Sequence, residues 1–250
     1  MKILAIIPAR YSSVRFPGKP LADINGKPMI QRVYEQVRKC SNIEDIIVAT
    51  DDERIINIVE KFNGKAILTS NEHQSGTDRC AEVIQLLKYN YEVVLNVQGD
   101  EPFINPQQIE QLVNCFYKPE IQIATLIKHI TQSQELFDSS KVKVVINEKS
   151  EAMYFSRSPI PFLRGVSEEL WPENSTSYKH IGIYGYRTEV LNQIVKLPVH
   201  SLERAESLEQ LRWLANGYNI QTALTDLESI SVDTIEDLER ARNFVPDGTT

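Results

Sequence analysis

Cysteine is scarce in this 250-residue chain: Cys40, Cys80 and Cys115 stand far apart and outside any CxxC spacing. That pattern argues against a disulfide framework or a thiolate metal site and favours three small buried hydrophobes. Long apolar runs are missing too; no stretch approaches the ~18 residues of a membrane span, and Met1-Lys2 leads into an apolar run too short for a signal peptide. A reducing cytoplasm is the expected setting. No excess of positive charge exists, since 27 Lys+Arg face 34 Asp+Glu, and the net −7 argues against non-specific nucleic-acid binding. GxGxxG, GxSxG and HExxH are all absent. Gly18-Lys19 is followed by Pro20 and lacks the upstream glycine of a Walker A loop. His73, His129, His180 and His200 show no metal-ligand spacing.

What remains, with 42% apolar and 24% charged residues, is an ordinary globular protein. Ile3 to Ile7 is a short β-branched run that predicts a buried strand. It ends at Pro8 in a loop carrying Arg10, Arg15 and Lys19 between Ser12, Ser13 and Gly18. Open α/β sheets hold ligands at the carboxyl ends of their strands, and such cations suit a polyphosphate. A solvated basic turn is the plain alternative. Helical spacing of Ile30, Val33, Tyr34 and Val37, then strands at 45–50, 66–69 and 91–97 separated by helical stretches, predict a parallel sheet with helices on both faces. The alternation stops near residue 118. Strands are expected at 121–128, 141–147 and 181–187, then one helix over 202–214, a strand at 220–224 and a last helix from Thr234. The expected organisation is an α/β sheet domain of residues 1–118 plus 201–245, an inserted subdomain of 119–200 and a tail of 246–250.

Gln98-Gly-Asp-Glu-Pro102 closes the fourth strand. Asp100 there is a hard oxygen ligand suited to a magnesium ion that substrate phosphates also hold, or else an acid of a solvated turn. In Val232-Asp233-Thr234-Ile-Glu-Asp237, helix initiation explains Thr234 as N-cap and Asp237 three residues later, but not Asp233. Two Asp from distant strand ends can together hold one or two divalent ions. Arg157 and the segment Lys179–Arg187 supply further cations and hydroxyls that an acidic sugar would need, though each alone is as readily surface decoration. Spacing places Glu209 in an amphipathic helix first.

The motifs IPARYSSVRFPGKPL (7–21), ATDDERI (49–55), SGTDR (75–79), NVQGDEPFI (96–104), YFSRSPIPF (154–162), YKHIGIYGYR (178–187), LEQLRWLANG (208–217) and VDTIEDLERAR (232–242), in this order, resemble the 3-deoxy-manno-octulosonate cytidylyltransferases of Gram-negative lipopolysaccharide synthesis. The resemblance runs over residues 2–243. It implies a nucleotide-diphospho-sugar-transferase fold whose α/β sheet domain is nucleotide-binding, a homodimer built largely on the insertion, and a reaction of CTP with the sugar acid Kdo giving CMP-Kdo and pyrophosphate. By resemblance, Arg10, Ser13, Arg15 and Lys19 line the triphosphate site. Ser75, Arg79 and Gln98 lie near cytidine or sugar, Asp100 and Asp233 bind Mg²⁺, and Arg157, His180, Tyr184 and Glu209 surround Kdo. Lys19, Asp100 and Asp233 are the catalytic set it implies. Ser231 and Ile235 depart from the Gly and Pro of the family pattern. An 8-amino analogue of Kdo stays open as substrate; the first loop argues against a sialic acid. A non-catalytic nucleotide-binding protein is the rival from another class.

Overall fold

Residues Ile3–Ile7, all but unexposed, form the strand that their branched apolar run predicts, and the other elements follow from it along the chain. The computed structural model describes residues 1–12, 15–87, 90–228 and 230–244. In order they contain β1 (Ile3–Ala9), β2 (Asp23–Ile24), β3 (Lys27–Pro28), α1 (Met29–Arg38), β4 (Asp45–Thr50), α2 (Glu53–Lys61), β5 (Ala66–Leu68), α3 (Gly76–Leu86), β6 (Val93–Asn96) and α4 (Pro106–Cys115). Then come β7 (Ile123–His129), α5 (Ser133–Phe137), β8 (Lys143–Ile146), β9 (Ala152–Ser156), α6 (Trp171–Asn174), β10 (Tyr178–Arg187), α7 (Thr188–Ile194), α8 (Ser201–Glu206), α9 (Gln210–Ala215), β11 (Ile220–Leu224) and α10 (Ile235–Asn243).

Two compact units divide the chain, Met1–Glu110 with the segment from Glu228 onward, and Gln111–Leu227. In the first unit β1 lies between β6 and β4, and β4 pairs with β5, all in parallel. That arrangement requires the crossover helices, and α1 buries the Ile30, Val33, Tyr34 and Val37 stripe that its spacing predicts, together with Met29. A smaller apolar cluster joins Ile24, Met29 and Phe103 to Val232, Leu238 and Ala241, so α10 is seated on the unit that begins the chain.

The second unit is mixed. Strand β11 runs parallel to β7, β7 antiparallel to β10, β10 to β8 and β8 to β9. Its ends turn toward closure: the Thr222 amide and hydroxyl both donate to the Ser150 carbonyl at 2.8 Å. These pairings place 201–227 in the second unit, where the expected division had put residues from 201 onward with the first. The expected single helix over 202–214 is two, because Ser207 takes a left-handed φ of 52° and ends α8. Strand β9 and helix α7 were not anticipated. Cys40 and Cys80 are buried, and burial pushes the Cys40 thiol up to about 11.

Candidate active site

A pocket of about 250 Å³ opens in the first unit where β1 and β6 end, lined among others by Arg10, Arg15, Lys19, Gln98, Asp100 and Asp233. Three local devices build it. Gly18 adopts φ 72° and its amide donates to the Tyr11 carbonyl at 2.9 Å, which closes the basic loop and starts the short 3₁₀ turn at Lys19. A Cβ on Gly18 would lie 3.2 Å from the Tyr11 ring, while Arg54 stacks on that ring at 3.3 Å. Gly99 lets the β6 end approach β1 so closely that a Cβ there would stand 2.7 Å from the Pro8 carbonyl. Only a residue without a side chain fits that contact, which places Asp100 beside the basic loop.

The third device is the start of α10. Thr234 caps it, and the Asp237 carboxylate accepts the amides of Asp233 and Thr234, each at 2.9 Å. Ile235 stands exposed at the first helical position, so the cap is complete without the proline of the family pattern. The Val232 amide donates to the Asp100 carbonyl at 2.9 Å and ties the two acid-bearing segments together. With its backbone held by the cap, Asp233 turns its carboxylate into the pocket.

Lys19 Nζ donates to Asp100 at 2.7 Å and to Asp233 at 3.1 Å, and Arg15 reaches the same Asp233 oxygen at 3.1 Å. The Lys19 side chain is 15% exposed and that of Asp100 26%, so this pair is better shielded from solvent than a surface salt bridge. Arg10 is exposed and makes no hydrogen bond or ion pair among the described residues. The site therefore offers cations to an anion and two carboxylates to a cation. No group of three His, Cys, Asp or Glu that could hold a metal occurs among the described residues. A hard divalent ion at Asp100 and Asp233 would complete its shell with water and substrate phosphates, the ordinary arrangement for magnesium.

Other residues singled out in the sequence lie elsewhere. Ser13 falls outside the described residues. Ser75 caps α3 in a reciprocal box with Asp78. Arg79 is buried, and its guanidinium holds Asp51 at 2.9 Å and the Thr69 hydroxyl at 2.5 Å. Ser75 and Arg79 are not among the pocket's walls.

In the second unit His180 and Tyr184 pack ring to ring at 5.2 Å, with Tyr186 and Trp213 against Tyr184. Burial raises the Tyr184 hydroxyl well above its ordinary range and the Glu209 carboxylate adds to it, so these three residues share one neighbourhood. Burial pushes the His180 imidazole down to about 3. Arg157 is committed to backbone: Nε donates to the Glu206 carbonyl at 2.8 Å and Nη1 to Ser139 at 3.2 Å. The sequence reading missed Thr125, a buried hydroxyl 2.9 Å from His180 Nε2. Its only signal was a hydroxyl set between apolar neighbours, Ala124 and Leu126, in a strand.

Residues 4–235 match the family model described as Cytidylyltransferase. The chain is 53% identical over 249 residues to the 3-deoxy-manno-octulosonate cytidylyltransferase of Parabacteroides distasonis, with 98% of each covered. It is 52% identical over 241 residues to that of Cytophaga hutchinsonii, with 96% of each covered. Among solved structures, a CMP:2-keto-3-deoxy-manno-octonic acid synthetase complexed with CTP is similar at a TM-score of 0.90 and 44% identity, over 97% of this chain and 98% of that one.

Proposed function

The chain belongs to the cytidylyltransferase family, and from that premise we propose that it couples CTP to 3-deoxy-manno-octulosonate (Kdo), releasing pyrophosphate and CMP-Kdo. The observation that carries this is the Lys19 ammonium between Asp100 and Asp233, in a pocket that also presents Arg10 and Arg15. A triphosphate needs such cations, and its magnesium needs such acids.

The anomeric oxygen of Kdo attacks the α-phosphorus and loses its proton to solvent as the bond to the pyrophosphate oxygen breaks. Arg10, Arg15 and Lys19 hold the triphosphate and stabilise charge gathering on the leaving pyrophosphate. Asp100 and Asp233 would hold Mg²⁺, which when bound neutralises phosphate charge and acidifies a hydroxyl. No side chain forms a bond to substrate. Gln98, His180, Tyr184, Glu209 and Arg157 are the residues proposed for the sugar acid, and Gln98 and Ser75 for its activation partner, with Arg79 supporting that side through its pairing with Asp51 and Thr69. Placement in cytoplasmic lipopolysaccharide synthesis and homodimerisation belong to the same proposal. Phe162, 75% exposed although its ring packs on Trp171, supports an interface on the second unit. No described helix is long and apolar enough to cross a membrane.

Pyrophosphate release from CTP and Mg²⁺, with Kdo, 8-amino-Kdo and N-acetylneuraminate side by side, tests the proposal. Release with Kdo supports it; release with the amino sugar alone moves the substrate and keeps the chemistry. Silence with all three, in protein that binds CTP, rejects it.

A further inference from the structure

Strand β10 does not run evenly along β7. His180 lies opposite Ile127 and Ile181 opposite Leu126, but the next pairing is Tyr184 with Thr125, so Gly182 and Ile183 form a bulge. Bulges leave ladder groups without their usual partners. Here the carbonyls of Ile181 and Ile183 turn to the Thr125 hydroxyl, at 3.1 and 2.7 Å. The same oxygen lies 2.9 Å from His180 Nε2.

One hydroxyl carries one proton and two lone pairs, whereas a carbonyl oxygen only accepts. Were the proton given to His180, neither carbonyl could accept it, and both short contacts would set an acceptor against a hydroxyl lone pair in a buried place. The proton therefore goes to Ile183, the shorter contact, and the hydroxyl accepts from His180. Nε2 must then carry the imidazole hydrogen, and Nδ1 keeps its lone pair. Nδ1 has no hydrogen-bond partner among the described residues, and the residue as a whole is only partly buried. Burial keeps the ring uncharged near neutrality.

We propose that Thr125 is a positioning residue whose hydroxyl holds His180 as the Nε2–H tautomer and so presents Nδ1 as an acceptor to a hydroxyl of the sugar acid. This rests on His180 belonging to the sugar site, as proposed above. It assigns a chemistry to that position: Nδ1 takes a hydrogen-bond donor, and the sugar's carboxylate, which has no proton to give, binds elsewhere. Threonine suits the role because its β-branch restricts χ1 and aims the hydroxyl at the bulge.

Long-range nitrogen–proton correlation NMR on the isotope-labelled, unliganded chain reads the tautomer directly, with His180→Gln to assign the signal. The Nε2–H pattern is expected; an Nδ1–H tautomer or an imidazolium at neutral pH overturns the proposal, whatever any variant does. Thr125→Val should raise KM for Kdo about tenfold, the loss of one oriented hydrogen bond, and leave KM for CTP in place. Thr125→Ser returns the hydroxyl and should bring tautomer and KM back. An unmoved Kdo KM in Thr125→Val overturns the positioning role. If His180→Ala leaves Kdo KM unchanged while the parent spectrum shows Nε2–H, the sugar-site assignment is what has failed, and the ligand half of the proposal goes with it.

Discussion

The Lys19 ammonium stands 2.7 Å from the Asp100 carboxylate, across 81 residues of sequence, and reaches Asp233 from the same position. A single ammonium thus bridges two acids that would otherwise repel one another, and Arg15 brings the second positive charge to Asp233. In the proposed reaction both acids would exchange that ammonium for a metal ion once a triphosphate offers Lys19 another partner.

Asp100→Asn keeps the shape and the backbone contact to Val232, so it should fold with a melting temperature close to the parent's. Loss of one carboxylate from the phosphate-transfer site should lower kcat about 10²–10³-fold. Steady-state pyrophosphate release at saturating Mg²⁺ checks it. A near-parental kcat would remove Asp100 from the catalytic set.

Magnesium and CTP should bind cooperatively. Alone, the ion must displace the Lys19 ammonium from Asp100 and Asp233; with CTP bound, the phosphates take that ammonium over. The coupling expected is at least about tenfold in Mg²⁺ affinity, and it is reciprocal. Calorimetric titration of Mg²⁺ with and without a non-reacting CTP analogue reads it, and equal affinities would mean that Lys19 does not compete.

Arg79 is predicted to matter first for stability. It is 4% exposed and pairs with Asp51 and Thr69, so Arg79→Met leaves a buried carboxylate without its cation and should cost about 3–5 kcal/mol in urea unfolding. Asp51→Asn in that background should recover part of the loss. Unchanged stability with a raised KM for CTP would instead make Arg79 a nucleotide contact.

Asp237 carries a pH dependence. Burial opposes its ionisation, but the amides of Asp233 and Thr234, the Thr234 hydroxyl and Arg240 outweigh it and hold the carboxyl below its ordinary value. A depressed folded-state pKa contributes stability that is complete above the unfolded carboxylate value of ~3.9 and is lost as pH falls through the lower folded value. Asp237→Asn should therefore cost about 1 kcal/mol at neutral pH, the scale of a helix cap, and progressively less in acid. Denaturant midpoints across pH 7 to pH ~3 measure it, and a pH-independent difference would refute the linkage.

What lay in the sequence by itself was whatever short-range physics dictates. The branched run Ile3–Ile7 could only be a buried strand, and the 3–4 spacing of Ile30, Val33, Tyr34 and Val37 only a helix face. Thr234 and Asp237, three apart, had to be a capping box, and that left Asp233 over for another task. Tertiary structure decided where these pieces meet. That Lys19 serves both Asp100 and Asp233, that Arg79 is spent on Asp51, and that Arg157 is tied to backbone carbonyls depends on contacts between segments distant in the chain. The same holds for the second unit's claim on residues 201–227, which rests on β11 pairing with β7 rather than on any local signal. Thr125 shows the limit most plainly, because its hydroxyl gains meaning only from a bulge in the facing strand. Helices and caps are encoded by neighbours within a turn, whereas register, bulges and buried ion pairs arise only when the assembled core chooses among long-range pairings.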